Sequence, residues 1–189
     1  MTNGPFKVCI ALFGLYFSPL SAELRSSVEV RSAAFIPTSD LFREIYSDVG
    51  ANYQVEVATK LYRFMDGWVN VDWFLKHGSS KGLHDPTRIS IANRSLGVKF
   101  RYPFCNSLTG YIGLGPNLTV VWLKNKSRCT RERITKAAAG LVVKSGVDYF
   151  INKYLFLDFF VDYLYQPIDL GRDVDVGGTK VGLGIGSRF

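Results

Sequence analysis

Val181-Gly182-Leu183-Gly184-Ile185-Gly186-Ser187-Arg188-Phe189 alternates residue by residue up to the end of the chain. Val181, Leu183, Ile185 and Phe189 fall on one face of an extended segment; Gly182, Gly184, Gly186 and Arg188 fall on the other. Side chains of a strand point to opposite faces with period two. The stretch is therefore a strand with one apolar face and one small, partly charged face.

The same period recurs upstream, and eight alternating segments can be marked. The first is roughly Ser26 to Ile36. The second, Asn52 to Tyr62, sets Tyr53, Val55, Val57 and Leu61 against Gln54, Glu56 and Lys60. The third, Trp68 to His77, sets Val69, Val71, Trp73 and Leu75 against Asn70, Asp72, Phe74 and Lys76. The fourth runs to Tyr102, with Leu96, Val98 and Phe100 opposite Gly97, Lys99 and Arg101. The fifth, about Gly110 to Leu123, sets Ile112, Leu114, Leu118 and Trp122 against Gly113, Gly115, Asn117 and Thr119. The sixth, about Thr135 to Tyr149, carries Lys144 and Asp148 on its polar face. The seventh sets Leu155, Leu157, Phe159, Val161, Tyr163 and Tyr165 against Asp158, Phe160 and Asp162. Two positions strain the pattern. Pro116 falls inside the fifth segment and calls for a bulge, because proline cannot donate to a strand ladder. Ile89 and Ile91 are out of phase with Leu96 and Val98, which implies a bulge or a later start of the fourth segment.

Connections alternate in length. Those at Arg63–Gly67, Pro103–Leu108 and Phe150–Lys153 are short; those at Pro37–Gly50, Gly78–Ser90, Lys124–Arg133 and Pro167–Gly178 are longer and more polar. Asp40–Tyr46 has the look of a short helical turn. An even number of strands then puts every short turn on one side and every long loop on the other, the asymmetry of an up-and-down membrane barrel. Alternation alone also suits a soluble barrel with its apolar face inside. Three features favour the apolar face outward. Aromatic residues cluster near the short turns (Tyr62, Phe64, Trp68, Tyr102, Phe104, Tyr111, Tyr149, Phe150, Tyr154), as an interfacial girdle would. Glycines concentrate on the polar face, where a narrow lumen crowds side chains. The chain ends on Phe189. The expected fold is all-β, an eight-stranded antiparallel up-and-down transmembrane barrel. Phe189 is its expected assembly signal.

The beginning of the chain reads as an export signal. Lys7 precedes the apolar run Val8–Phe17, which is too short to span a bilayer as a helix, and Ser18-Pro-Leu-Ser-Ala22 offers small residues for cleavage. Residues 1–22 are the expected cleavable signal and 23–189 the barrel domain. A mean hydropathy near zero with 14% aromatic residues suits alternating strands better than a helical core. The net charge of +7 does not point to nucleic acid in an exported protein. Cys105 and Cys129 fall at opposite ends of the topology. The membrane band alone is about 25 Å tall, whereas a disulfide needs Cα atoms within about 7 Å, so no internal bridge is expected.

The stretches Leu96-Gly-Val-Lys-Phe-Arg-Tyr102, Tyr111-Ile-Gly-Leu-Gly-Pro116, Gly140–Ile151, Tyr154–Tyr165 and Val181–Phe189 resemble the small outer-membrane β-barrel superfamily that includes the transmembrane domain of outer membrane protein A. The resemblance rests on pattern more than on invariant residues. It implies insertion in a bacterial outer membrane by the barrel-assembly machinery, and a role as anchor, adhesin or, less often, lipid-modifying enzyme.

The polar faces collect Glu56, Asp72, Asp148, Asp158 and Asp162 with Lys60, Lys76, Lys99, Arg101, Lys144, Lys180 and Arg188. An eight-stranded barrel has an interior just wide enough for side chains to fill. Charges packed there must pair, since an isolated buried charge is costly. A salt-bridged plug is the expectation, with a small pore as the alternative. The segment Lys124–Lys136 is strongly basic, with Lys124, Lys126, Arg128, Arg131 and Arg133 against Glu132. On the outer surface such a loop is either a solvated tip, a contact for lipopolysaccharide phosphates or a site for a host-surface ligand. The resemblance also raises a lipid A deacylase, which would use a His-x-Ser pair. His77-Gly78-Ser79 supplies the pair, but Ile91 stands where a carboxylate belongs and Asp85 is the only nearby acid. No catalytic, cofactor-binding or metal constellation is otherwise present, and no enzymatic activity is expected.

Overall fold

A computed structural model describes residues 26–39, 43, 49–79, 86–126, 131–169 and 173–189, with backbone alone at 77–79, 86–88, 123–126, 131–134, 169 and 173–174. The chain forms β1 (Ser26–Pro37), β2 (Gly50–Tyr62), β3 (Met65–Ser79), β4 (Pro86–Cys105), β5 (Leu108–Lys126), β6 (Arg131–Phe150), β7 (Leu155–Tyr165), β8 (Pro167–Asp169), β9 (Asp173–Asp175) and β10 (Gly178–Arg188). Eight of these close an antiparallel barrel in the order β1-β10-β7-β6-β5-β4-β3-β2, while β8 and β9 pair separately as a small hairpin. Closure joins β1 to β10 from Ser27↔Arg188 to Pro37↔Gly178. The membrane barrel expected from the alternation is thus the observed fold. The long Pro167–Gly178 connection holds the β8–β9 hairpin. In the first long connection the Arg43 amide donates to the Ser39 carbonyl, and the rest of Asp40–Tyr46, where a short helical turn is expected, lies outside the described residues.

Burial follows the alternation. In β2 the even residues Asn52, Gln54, Glu56 and Ala58 are buried, and the odd residues Tyr53, Val55 and Val57 are exposed. Across the barrel the outward face is a belt of Val, Leu, Ile and Phe, including Val69, Val71, Leu114, Leu118, Phe159, Leu183 and Ile185. An apolar belt of this kind is stable only against lipid. Tyr62, Phe64, Tyr102, Phe104, Tyr149 and Tyr154 are exposed at the end with the short turns, as a girdle requires. Trp68 and Tyr111 are not part of it: they are 2% and 6% exposed, inside the lumen. Nearness to a turn suggested the girdle for them, but strand phase decides the face, and both fall one residue out of step with their lipid-facing neighbours Val69 and Ile112.

Both strains in the pattern resolve without a bulge. Ser95↔Asn117 and Val98↔Leu114 keep one offset across Pro116, which is exposed on the lipid side. The ladder is simply unpaired there, and β4 and β5 come so close that a Cβ on Gly115 would lie 1.9 Å from the Leu96 carbonyl oxygen. Ile89 and Ile91 also sit in one continuous β4, facing inward with Asn93, Ser95 and Lys99. They are inward and apolar because the outer end of the lumen is apolar. Phe35, Phe74, Ile89, Ile91, Val121, Ile168 and Val176 pack there, with Phe35 edge-on to Phe74 at 5.2 Å. The β8–β9 hairpin supplies Ile168, and Val176 follows it.

Candidate functional site

The lumen below this cap is an ion-pair core centred on Arg31 and Glu56. The Arg31 guanidinium donates to Glu29 Oε1 at 2.8 Å and reaches Asp158 Oδ2 at 2.7 Å, Glu56 Oε2 at 3.3 Å and Asp162 Oδ2 at 3.7 Å. Glu56 is answered by two lysines: from the opposite wall Lys144 Nζ lies 2.7 Å from its Oε2, and from β4, two strands away, Lys99 donates to its Oε1. Lys144 also stands 3.5 Å from Asp162. The Tyr111 hydroxyl donates to Asp158 at 3.0 Å and accepts from Arg31 at 2.8 Å. Arg101 bridges Asp66 and Asp148 nearer the inner mouth. Aromatic faces line the cations, with Arg31 over Phe160 at 4.6 Å and Lys144 over Trp68 at 4.6 Å. Small residues make the room: a Cβ at Gly184 would fall 2.3 Å from Glu29 Oε1, and one at Gly186 would fall 2.2 Å from the Phe156 ring. The space is therefore taken by side chains of the neighbouring strands, not of the opposite wall.

Between core and cap lies a polar layer. Asp72 accepts from Lys180 at 2.6 Å, Asn93 at 2.6 Å and Asn52 at 3.0 Å. Asn117 donates to Gln166 Oε1 at 2.7 Å, which fastens the start of the β8–β9 hairpin to β5. Asp175 secures its end, accepting from the amides of Gln166 and Gly177 at 2.9 and 2.8 Å.

Of the expected network, Glu56, Asp72, Lys99, Arg101, Lys144, Asp148, Asp158, Asp162 and Lys180 are brought together. Lys60 and Lys76 are not members. Lys60 is exposed near the inner end of β2, paired with Asp66 just before the register shifts between Lys60 and Tyr62. Lys76 donates to the Val49 carbonyl at the outer rim. Arg188 lies over the Phe150 ring at 4.0 Å at the inner mouth. Glu29, Arg31, Asp66 and Tyr111 are members that the sequence reading did not single out. Glu29 and Arg31 two residues apart on a strand were the available signal.

The basic segment is mostly strand rather than loop. Lys124, Lys126, Arg131 and Arg133 sit in paired β5 and β6, joined as Lys124↔Arg133 and Lys126↔Arg131. Strand pairing persists because apolar and β-branched pairs, Leu123↔Ile134 and Trp122↔Thr135, continue the ladder outward. Arg128 lies outside the described residues. β4, β5 and β6 are 20, 19 and 20 residues long against 11 for β7 and 11 for β10, so this side of the wall rises above the other. His77 and Ser79 pair with Arg88 and Pro86 in β3 and β4; Asp85 lies outside the described residues. Ile91, at the position a carboxylate would need, is buried in the apolar cap. Cys105 is free and exposed, and Cys129 lies outside the described residues. No cluster of metal-ligating side chains occurs among the described residues.

No protein-family model matches the sequence, and no curated protein matches it significantly. Solved structures do match the fold. Neisserial surface protein A aligns with a TM-score of 0.69 at 14% identity, over 87% of this chain and 97% of that one. The outer membrane protein OprG of Pseudomonas aeruginosa aligns with 0.70 at 17% identity, over 88% and 96%. Ail, the attachment invasion locus protein of Yersinia pestis, solved with the heparin analogue sucrose octasulfate, aligns with 0.62 at 15% identity, over 89% and 100%. Closed topology, apolar belt, girdle and these likenesses define the class: a small eight-stranded β-barrel of the bacterial outer membrane.

Proposed function

We propose that this protein is a non-conducting, non-enzymatic barrel that acts as a surface-exposed structural or interaction protein, its outer β3–β6 extension being the interacting part. The observation that carries this is the filled lumen: an ionic core under an apolar cap leaves the projecting wall as the part offered to partners. Ail, a fold neighbour, was solved with a sulfated ligand, which is in keeping with an anion-binding extension here. Residues 1–22 serve as the export signal, and Phe189, exposed at the inner rim and hydrogen-bonded through its backbone to Ser26, serves as the assembly signal read by the barrel-assembly machinery. The deacylase reading is weakened by Ile91 in the cap. An epitope tag between β5 and β6 tests the proposal: antibody should label it on intact cells, with unchanged lipid A acylation in His77→Ala. A tag reached only after permeabilisation, or altered acylation, refutes it.

A further inference from the structure

The belt that faces lipid is not uniform in relief. Two of its cross-strand rows, Gly110–Val147–Phe159–Leu183 and Ile112–Ser145–Val161–Val181, hold a glycine and a serine among larger neighbours. Gly110 is buried beneath the edge of the Phe104 ring, where a Cβ would lie 2.6 Å from the nearest ring atom. Ser145 is half-buried, and its hydroxyl donates to the Val161 carbonyl at 2.9 Å. Satisfied by that bond, the hydroxyl makes no polar demand on lipid. Phe64, Phe104, Phe159 and Leu183 remain exposed around this low floor. The result is an open, predominantly apolar depression of about 1050 Å³ on the outside of the barrel.

The depression belongs to the inner half of the membrane. Its lower edge is the girdle at Phe64, Tyr102 and Phe104. Leu183, toward its upper edge, stands six residues up the final strand from Phe189. At about 3.4 Å per residue and a strand tilt of about 40°, that is about 15 Å along the barrel axis. The hydrocarbon core of a bilayer is about 30 Å thick, so the depression spans the depth of one leaflet. The charge at its lower edge is of one sign. Arg63, in the β2–β3 turn, lies over the Phe64 ring at 5.2 Å, and Lys153, in the β6–β7 turn, lies over the Tyr154 ring at 5.1 Å. Both are exposed, as is Lys60, and no acidic side chain is exposed at this end among the described residues. An aromatic ring under a long cationic stem keeps the charge at the membrane boundary. Phe64 thus does two things: it forms a wall of the depression and carries the guanidinium beside it.

We infer that the depression seats an acyl chain of an inner-leaflet glycerophospholipid of net negative charge, whose head-group phosphate is bound by Arg63. A guanidinium donates to two phosphate oxygens at once. Lys60 and Lys153 add to the positive potential of this end and so favour an anionic head group over a zwitterionic one. The site is on the membrane face, and it stands whether or not the outer extension binds partners.

The test uses the refolded full barrel, checked by heat-modifiable gel mobility and transferred to detergent micelles. Native mass spectrometry then measures retention of phosphatidylglycerol and of phosphatidylcholine with identical chains. R63Q removes the phosphate ligand. S145F fills the floor of the depression, and V147F does so from the neighbouring row should S145F not fold. V55F places the same ring on the lipid face of β2, outside the depression, as a control. Wild type and V55F should retain phosphatidylglycerol about fivefold better than phosphatidylcholine, the worth of one cation near an anionic surface. R63Q should lose that preference, and the floor-filling variants should retain neither lipid. Wild type without the preference, R63Q with it, or a folded S145F or V147F barrel that retains lipid like V55F overturns the inference. A lipid-free dimer that S145F dissociates also overturns it, and assigns the depression to a second copy of the chain.

Discussion

Arg31 and Glu56 each meet three or more groups of opposite charge, so removing either leaves several uncompensated charges at once. Breaking a buried ion pair on one side costs about 3–5 kcal/mol, because the orphaned partner stays desolvated. Asp162 is held only at 3.5 and 3.7 Å. Glu56→Ala should therefore lower the unfolding midpoint in urea far more than Asp162→Ala, with Asp158→Ala between them. A combined Glu56→Gln and Lys144→Met exchange should recover part of the loss, since it removes charge from both sides. Equal effects of Glu56→Ala and Asp162→Ala would show that the charges do not act as one core. Most core members were legible from the polar faces of β2, β4, β6 and β7. Arg31 and Glu29 were not, because β1 mixes small and apolar residues on both faces. Ala33 and Phe35 point inward beside Arg31, while Ser32 and Ala34 point outward, so polarity alone does not separate its two sides.

At the scale of the element, β7 is legible to the residue, because Leu155–Tyr165 holds its alternation from end to end and stops at Pro167. β5 and β6 were read short, since the ladder continues through basic residues that sequence reading assigns to a loop. The β8–β9 hairpin was missed because its partners are distant: Ile168 and Val176 bury against Phe35, Phe74 and Ile91, which no local period reveals. The β4–β5 seam is close at Gly115. A side chain at Gly115 would meet the Leu96 carbonyl, and backbone cannot step aside as a flexible side chain can. Gly115→Val should abolish the heat-modifiable gel shift, whereas Gly113→Ala, whose Cβ first meets the Lys99 stem at 2.9 Å, should keep most of it. A folded Gly115→Val barrel would contradict the register at that seam. β10 yields a separate prediction. Phe189→Ser removes an exposed aromatic and no lumen contact, so it should reduce the yield of barrel in the outer membrane several-fold in cells while leaving the stability of refolded protein within about 1 kcal/mol, as for a surface substitution. Normal yield in cells would remove Phe189 as the assembly signal.

For the whole molecule, three layers stand in series along the axis: the apolar cap, the Asp72–Lys180 polar layer, and the Arg31–Glu56 core, with Phe150, Phe156 and Arg188 at the inner mouth. The exterior was readable from periodicity and connection length, since lipid imposes a strict rule on every outward position. The interior obeys no such rule. Its side chains choose partners across the lumen by closeness, and the layering emerges only when the barrel closes. The layers also make opposite demands on a permeating ion, which would shed its water in the cap and then break ion pairs in the core. Recording current through refolded protein in planar lipid bilayers tests this seal most directly. The trace should stay at the lipid baseline for wild type at moderate voltage. Stable, stepwise conductance by correctly folded wild-type protein would contradict the sealed lumen.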